Sequence, residues 1–151
     1  MDTKPKSHRL RIGRFSESNR IYLITTVTHR RKPVFQNFYL GRLLVQILRA
    51  EHPRTETLAY VVMPDHLHWL IQLKAIASLS KTVASIKSIS AHRINQKLNQ
   101  HGRVWQPGFH DHAIRKEEDI KAIARYVIAN PVRAQLVENI GGYPLWDAIW
   151  I

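Results

Sequence analysis

The sequence predicts an α+β domain: a small antiparallel sheet with helices packed on it. Strand-like and helix-like runs follow one another along the chain in the order β–α–β–β–α–β–α. Two strand runs, Leu58 to Met63 and His66 to Leu73, are separated only by Pro64-Asp65. That junction is a tight-turn signal, so the pair should be antiparallel. A length of 151 residues with a 44% hydrophobic share fits one domain with a sizeable core.

The first strand is Arg20-Ile-Tyr-Leu-Ile-Thr-Thr-Val-Thr28, rich in β-branched and aromatic residues, with Pro33 closing that region. From about Asn37 to His52, Leu40, Leu43, Leu44, Ile47 and Leu48 follow helical spacing, and Pro53 ends the run. The hairpin comes next, then a long helix over residues 78–100. Its core side is Leu79, Val83, Ile86, Ile94 and Leu98, and its start is Ser78 or Ser80. Gly102 breaks it. Residues 105–115, Trp-Gln-Pro-Gly-Phe-His-Asp-His-Ala-Ile-Arg, read as a loop leading into a short strand. A last helix opens at Glu117, Glu118 and Asp119, whose charges suit a helix N-terminus. It runs to about Asn130, where Pro131 interrupts or kinks it.

Composition narrows the function. The formal charge is +12, and residues 1–33 carry nine Lys and Arg against Asp2 and Glu17, a net +7. A basic surface of this kind calls for a polyanionic partner, most often nucleic acid. A membrane surface fits less well, because the basic segment has no amphipathic apolar stripe. The absence of cysteine excludes disulfides and thiolate metal ligands. With no apolar core in the first residues and no run of membrane-spanning length, the expected location is cytoplasmic, associated with the nucleoid. The expected organisation is a basic arm over residues 1–19 and a single catalytic domain over residues 20–151.

Side chains two apart on a strand share a face. His66 and His68 should therefore stand side by side while Leu67, Trp69 and Ile71 point into a core, and two such imidazoles make half of a metal site. On the last helix, Ile120, Ile123, Ala124, Val127 and Ile128 form an apolar stripe, and Tyr126 and Asn130 lie four apart on its flank. Each pair alone has a bland reading: two histidines without a ligand, and a core-edge tyrosine with a helix-ending asparagine. Together they make chemical sense. Two imidazole nitrogens and an amide oxygen are three neutral ligands suited to Mg²⁺ or Mn²⁺. A phosphate held there is open to attack by Tyr126, giving a phosphotyrosine.

Other residues compete. His110-Asp111-His112 is a second His-x-His, ranked below the first because it follows a Pro-Gly loop without a flanking apolar strand. Packing, orienting a ligand or touching phosphate suits it better. Trp105 and Phe109 are candidates for stacking on unpaired bases. His29, Arg30 and Arg31 are expected to meet DNA backbone, as are Arg9, Arg11, Arg14, Lys87 and Arg115. Tyr22, Tyr39, Tyr60 and Tyr143 lack a polar metal-ligand neighbour at helical spacing. Trp146 and Trp150 are expected to pin the C-terminal tail to the body.

His66-Leu67-His68 resembles the His-hydrophobic-His signature of HUH endonucleases. Arg125-Tyr126-Val-Ile-Ala-Asn130-Pro131-Val-Arg133-Ala resembles the nucleophile helix of their single-tyrosine transposase branch. Met63-Pro64-Asp65-His66-Leu67-His68-Trp69, Ile86-Lys87-Ser88 and Trp105-Gln106 through His110-Asp111-His112 to Ile114-Arg115 are similar to the REP-associated tyrosine transposases. The resemblance spans roughly Arg11 to Trp146. It implies a ferredoxin-like antiparallel sheet, divalent-metal-dependent cleavage of single-stranded DNA, a 5′-phosphotyrosine with a free 3′-hydroxyl, and recognition of palindromic hairpins beside a short guide sequence. The expected assembly is a monomer or homodimer. Gln135 departs from the pattern, which has glycine in the turn after Ala134. The alternatives are a hairpin-binding protein without turnover and a metal-dependent phosphodiesterase that uses water.

Overall fold

A computed structural model describes residues 20–51, 54–74, 77–115 and 119–149. Arg9, Arg11 and Arg14, the acidic Glu117 and Glu118, and Trp150 lie outside the described residues. The elements are β1 (Ile21–Val27), α1 (Phe38–Ala50), β2 (Thr55–Met63), β3 (His66–Leu73), α2 (Leu79–Leu98), β4 (His110–Ala113), α3 (Ile120–Ile128), α4 (Asn130–Arg133) and β5 (Trp146–Ala148). The sheet runs β4–β1–β3–β2–β5, and every neighbouring pair is antiparallel. This is the α+β antiparallel architecture that the sequence predicts. Among the described residues, no helix is long and apolar enough to cross a membrane.

Helix starts follow their capping residues. The Asn37 side chain accepts hydrogen bonds from the Tyr39 and Leu40 amides, Ser78 from Lys81, and Asp119 from Ala122. On one face of the sheet, Leu67, Trp69, Ile71 and Leu73 of β3 join Leu44 and Leu48 of α1 and Val83 and Ile86 of α2 in the main core. On the other face, Ala124 and Ile128 of α3 pack with Leu58, Leu70 and Ala148, and Val127 packs with Val61 and Met63. A nine-residue helix is marginal on its own. Burying a valine or isoleucine side chain contributes about 1.5–3 kcal/mol, so this stripe holds α3 in place.

Three features differ from the sequence reading. A fifth strand, β5, pairs with Ala59, Tyr60 and Val61 of β2. It pins the tail through backbone bonds as well as through Trp146, whose indole donates to the Ile140 carbonyl. Leu98, expected on the core side, is exposed at the last position of α2. The last helix stops at Ile128, and Asn130 opens the separate short helix α4, with Pro131 in its first turn where a missing N–H costs nothing.

The Gln135 departure has a structural meaning. Its φ is 61°, in the left-handed region, at the turn where the Leu136 amide bonds back to the Pro131 carbonyl. Only glycine takes this conformation without strain. Gln135→Gly is therefore expected to stabilise the protein by about 1 kcal/mol, a rise of about 2–4 °C in Tm at this chain length, read by thermal unfolding.

Candidate active site

The register of the sheet places the histidine pair. Thr25 and Val61 flank His68 on either side, and Val27 and Met63 flank His66. Directly paired residues share a face, so the pair stands in a frame of aliphatic side chains and one threonine. The two rings lie edge to face, centroids 4.8 Å apart. Leu67, Trp69 and Ile71 point to the opposite face and are wholly buried.

Each ring is tied at Nδ1. His66 Nδ1 is 2.7 Å from Asp65 Oδ1, and Arg31 Nε is 3.0 Å from Asp65 Oδ2. Burial alone would raise the Asp65 carboxyl, but the His66 hydrogen bond and the His66 and Arg31 charges outweigh it and hold the group below the usual carboxylate range. Asp65 thus fixes the His66 tautomer with Nδ1–H donating and Nε2 open. His68 Nδ1 lies 2.9 Å from the Thr25 hydroxyl. Burial, then His66 and Arg133, push its imidazole down to about 4, so it is neutral at pH 7. A neutral imidazole oriented through its far nitrogen is what a divalent ion requires. In the sequence Asp65 presents itself as a turn residue and Thr25 as a strand residue. The one sequence signal for Asp65 is its place directly before His66.

α3 brings the nucleophile candidate to this face, because Val127 seats on Val61 and Met63, the neighbours of the two histidines. Tyr126 is 64% exposed. The Arg133 guanidinium lies over its ring, 3.8 Å from the centroid, and its charge also reaches His68. Arg133 therefore links the helix pair α3–α4 to the histidines, a role that the sequence reading did not assign. Asn130 donates through Nδ2 to the Val127 carbonyl at 2.8 Å, which leaves Oδ1 as the atom with ligand capacity. Among the described residues, no group of three His, Cys, Asp or Glu is arranged to hold a metal ion. Any divalent ion on this face would draw on the two imidazoles and a further donor of another kind, for which the Asn130 amide oxygen is the candidate.

The remaining candidates fall into two groups. His110-Asp111-His112 is itself the edge strand β4, and it sets His110 opposite Thr25 and His112 opposite Leu23, on the same face as His66 and His68. Arg115 is exposed just beyond it. His29, Arg30 and Arg31 form a tight turn after β1, with φ of 55° and 53° at the two arginines. Two expectations need correction. Trp105 is 4% exposed, ring-packed against Phe35 with its indole donating to the buried Ser90 hydroxyl, so it has no face to offer a base. Lys87 donates to the carbonyls of Gln106 and Gly108, and burial followed by Arg103 lowers its pKa. Its ammonium holds the 105–109 loop onto α2 and is not turned to phosphate.

Known proteins share this architecture. The sequence profile of the family described as transposase IS200 like matches residues 16–130, from just before β1 to Asn130. A Haemophilus influenzae protein assigned to the REP-associated tyrosine transposases is 25% identical over 135 residues, 82% of this chain and 77% of its own. The REP-associated tyrosine transposase of Escherichia coli K12 is 31% identical over 87 residues, 57% of this chain and 50% of that protein. A solved REP-associated tyrosine transposase bound to a REP hairpin superposes with a TM-score of 0.70 at 25% identity, over 88% of this chain and 79% of that one.

Proposed function

The chain belongs to the IS200-like transposase family, and from that premise we propose that it cleaves and rejoins single-stranded DNA at hairpin-forming repeats through a covalent link between Tyr126 and a 5′-phosphate. The observation that carries this reading is the exposed Tyr126 set by α3 on the face where His66 and His68 present open Nε2 atoms. The charge of +12 and the REP hairpin held by the similar structure support the choice of DNA as substrate.

His66 and His68 through Nε2, with Asn130 through Oδ1, would hold Mg²⁺ or Mn²⁺. When bound, the ion supplies Lewis-acid polarisation of the scissile phosphate and neutralises its developing charge. Tyr126 Oη attacks the phosphorus; the Oη–P bond forms as the P–O3′ bond breaks. The phenolic proton passes to solvent, and the departing oxygen takes a proton to become a free 3′-hydroxyl. A phenol, with a pKa of about 10, leaves far more readily than an alcohol, so a 3′-hydroxyl can reverse the step and join strands. Arg133, stacked on the Tyr126 ring, would put a positive charge beside the phenol and the incoming phosphate.

The test is a covalent-adduct assay with hairpin-bearing single-stranded DNA and Mg²⁺ or Mn²⁺, resolved on a denaturing gel. DNA-linked protein that disappears with chelator is the expected result. Binding without adduct, with both metals and several hairpins, overturns the reading in favour of a binder without turnover. Free cleaved DNA that persists without Tyr126 identifies a water-using phosphodiesterase instead.

A further inference from the structure

Among the described residues, only three Phe, Tyr or Trp side chains are exposed: Tyr126, Phe38 and Tyr39. Tyr126 has a role in the reading above, but the other two do not. Phe38 is 44% and Tyr39 80% exposed, and their rings meet edge to face with centroids 5.6 Å apart. They occupy the first two positions of α1, directly after the Asn37 cap. Folding does not explain them, since the buried face of α1 begins at Leu40.

The stretch of chain that carries them is basic, although Arg31 pairs with Asp65 and Arg49 with Asp147. Residues 20–50 contain Arg20, Arg30, Arg31, Lys32, Arg42 and Arg49 and not one Asp or Glu. The turn preceding α1 ties this segment to the candidate site: the Phe35 amide donates to the Pro64 carbonyl at 2.9 Å, next to the Asp65 that pairs with Arg31. Arg30 and Arg31 both hold left-handed backbone conformations, which are strained for residues other than glycine and concentrate at functional segments. Exposed aromatic rings beside cations that track a phosphate backbone are how single-stranded nucleic acid is gripped, because every base offers a π-face.

We propose that Phe38 and Tyr39 form a stacking platform for an unpaired base of single-stranded DNA whose backbone runs along the cationic turn of residues 29–32. This rests on the DNA-processing reading above and adds a site to it. Single-stranded flank, rather than duplex stem, is the part of the substrate that offers a free base face, so the platform should discriminate between the two.

The experiment compares full-length chains binding two DNA hairpins with the same stem, one blunt and one with a short unpaired flank carrying 2-aminopurine. Chelator is present throughout so that no cleavage occurs. Tyr39→Ala is expected to bind the flanked hairpin about 5- to 150-fold more weakly, with the blunt one unchanged within about twofold. Tyr39→Phe keeps both affinity and quenching of the 2-aminopurine; Tyr39→Leu keeps neither. Equal affinity for both hairpins, or an equal loss on both, overturns the proposal. So does altered self-association with unchanged DNA binding, which would assign the aromatic pair to contact with a second copy. Flank discrimination here, with no covalent adduct in the separate metal-containing assay, would leave the platform standing and remove the strand-transfer reading, while an adduct in that assay without discrimination here would do the reverse.

Discussion

A chain with phenylalanine at position 126 is expected to bind hairpin DNA with nearly native affinity and to form no covalent adduct. Tyr126→Phe removes one oxygen from a side chain that is 64% exposed, and the ring that Arg133 covers at 3.8 Å is kept. Surface substitutions of this kind change stability by about 0.5 kcal/mol or less. The loss is then a loss of chemistry, read on a denaturing gel beside an anisotropy titration of the same preparation. No other described phenol is placed to replace it at the site. Tyr22 and Tyr60 are buried in the core. Tyr143 donates its hydroxyl to the Val62 carbonyl, and burial pushes its pKa up to about 12. Tyr39 is exposed but belongs to α1, which packs on the opposite face of the sheet from α3. An adduct that survives Tyr126→Phe would transfer the nucleophile to another residue and defeat the assignment.

Changes at the histidine pair should act through the metal. His66→Ala or His68→Ala would remove one of the proposed donors outright. Asp65→Asn leaves both donors but releases the Nδ1 grip on His66, and losses of this kind weaken metal affinity by about 10- to 100-fold. Titration of Mn²⁺ into each variant should therefore rank them, with the two alanine variants weaker than Asp65→Asn. Equal affinity across the series would exclude His66 and His68 as ligands. His68 also leaves a mark on the metal-free fold. Its folded pKa is depressed from 6.5 to about 4, so the unfolded chain takes up a proton that the folded chain refuses. The stability linked to His68 is complete above about pH 6.5 and is lost as pH falls toward 4. Denaturation midpoints of the native chain and His68→Gln, followed across that window, should converge toward the acid end.

What the sequence makes legible depends on how local the cause is. His66 and His68 share a face because of the two-residue period of one strand, and the apolar stripe of α3 follows from spacing within one helix. Both patterns are complete within a dozen residues. Trp105 shows the opposite case. Its burial depends on Ser90 from the preceding helix and Phe35 from a distant turn, and nothing beside it in the chain announces either. Thr25 meets His68 only because β1 pairs with β3 in one particular register, so its contact was invisible in a run that reads simply as strand. β5 was missed because three residues are too few to display alternation. The charge of Lys87 points to phosphate in the sequence, yet the carbonyls of a loop some twenty residues later claim that charge first. The resemblance to the REP-associated tyrosine transposases brought Arg133 into view as part of a pattern, and only the cation–π stack over Tyr126 gives it a physical role.

The docking of α3 has a consequence for inheritance. Val127 rests on Val61 and Met63 of its own chain, so in the mechanism proposed above one polypeptide would supply both the histidines and the tyrosine. Two defective alleles, one lacking His66 and the other lacking Tyr126, should then fail to complement each other, whether co-expressed in a cell or mixed in a tube. Rescue would require α3 of one copy to leave its own sheet and settle on that of another. A cell carrying an intact and a damaged copy should retain the activity of the intact one alone, with the damaged copy acting only as a competitor for the same hairpins.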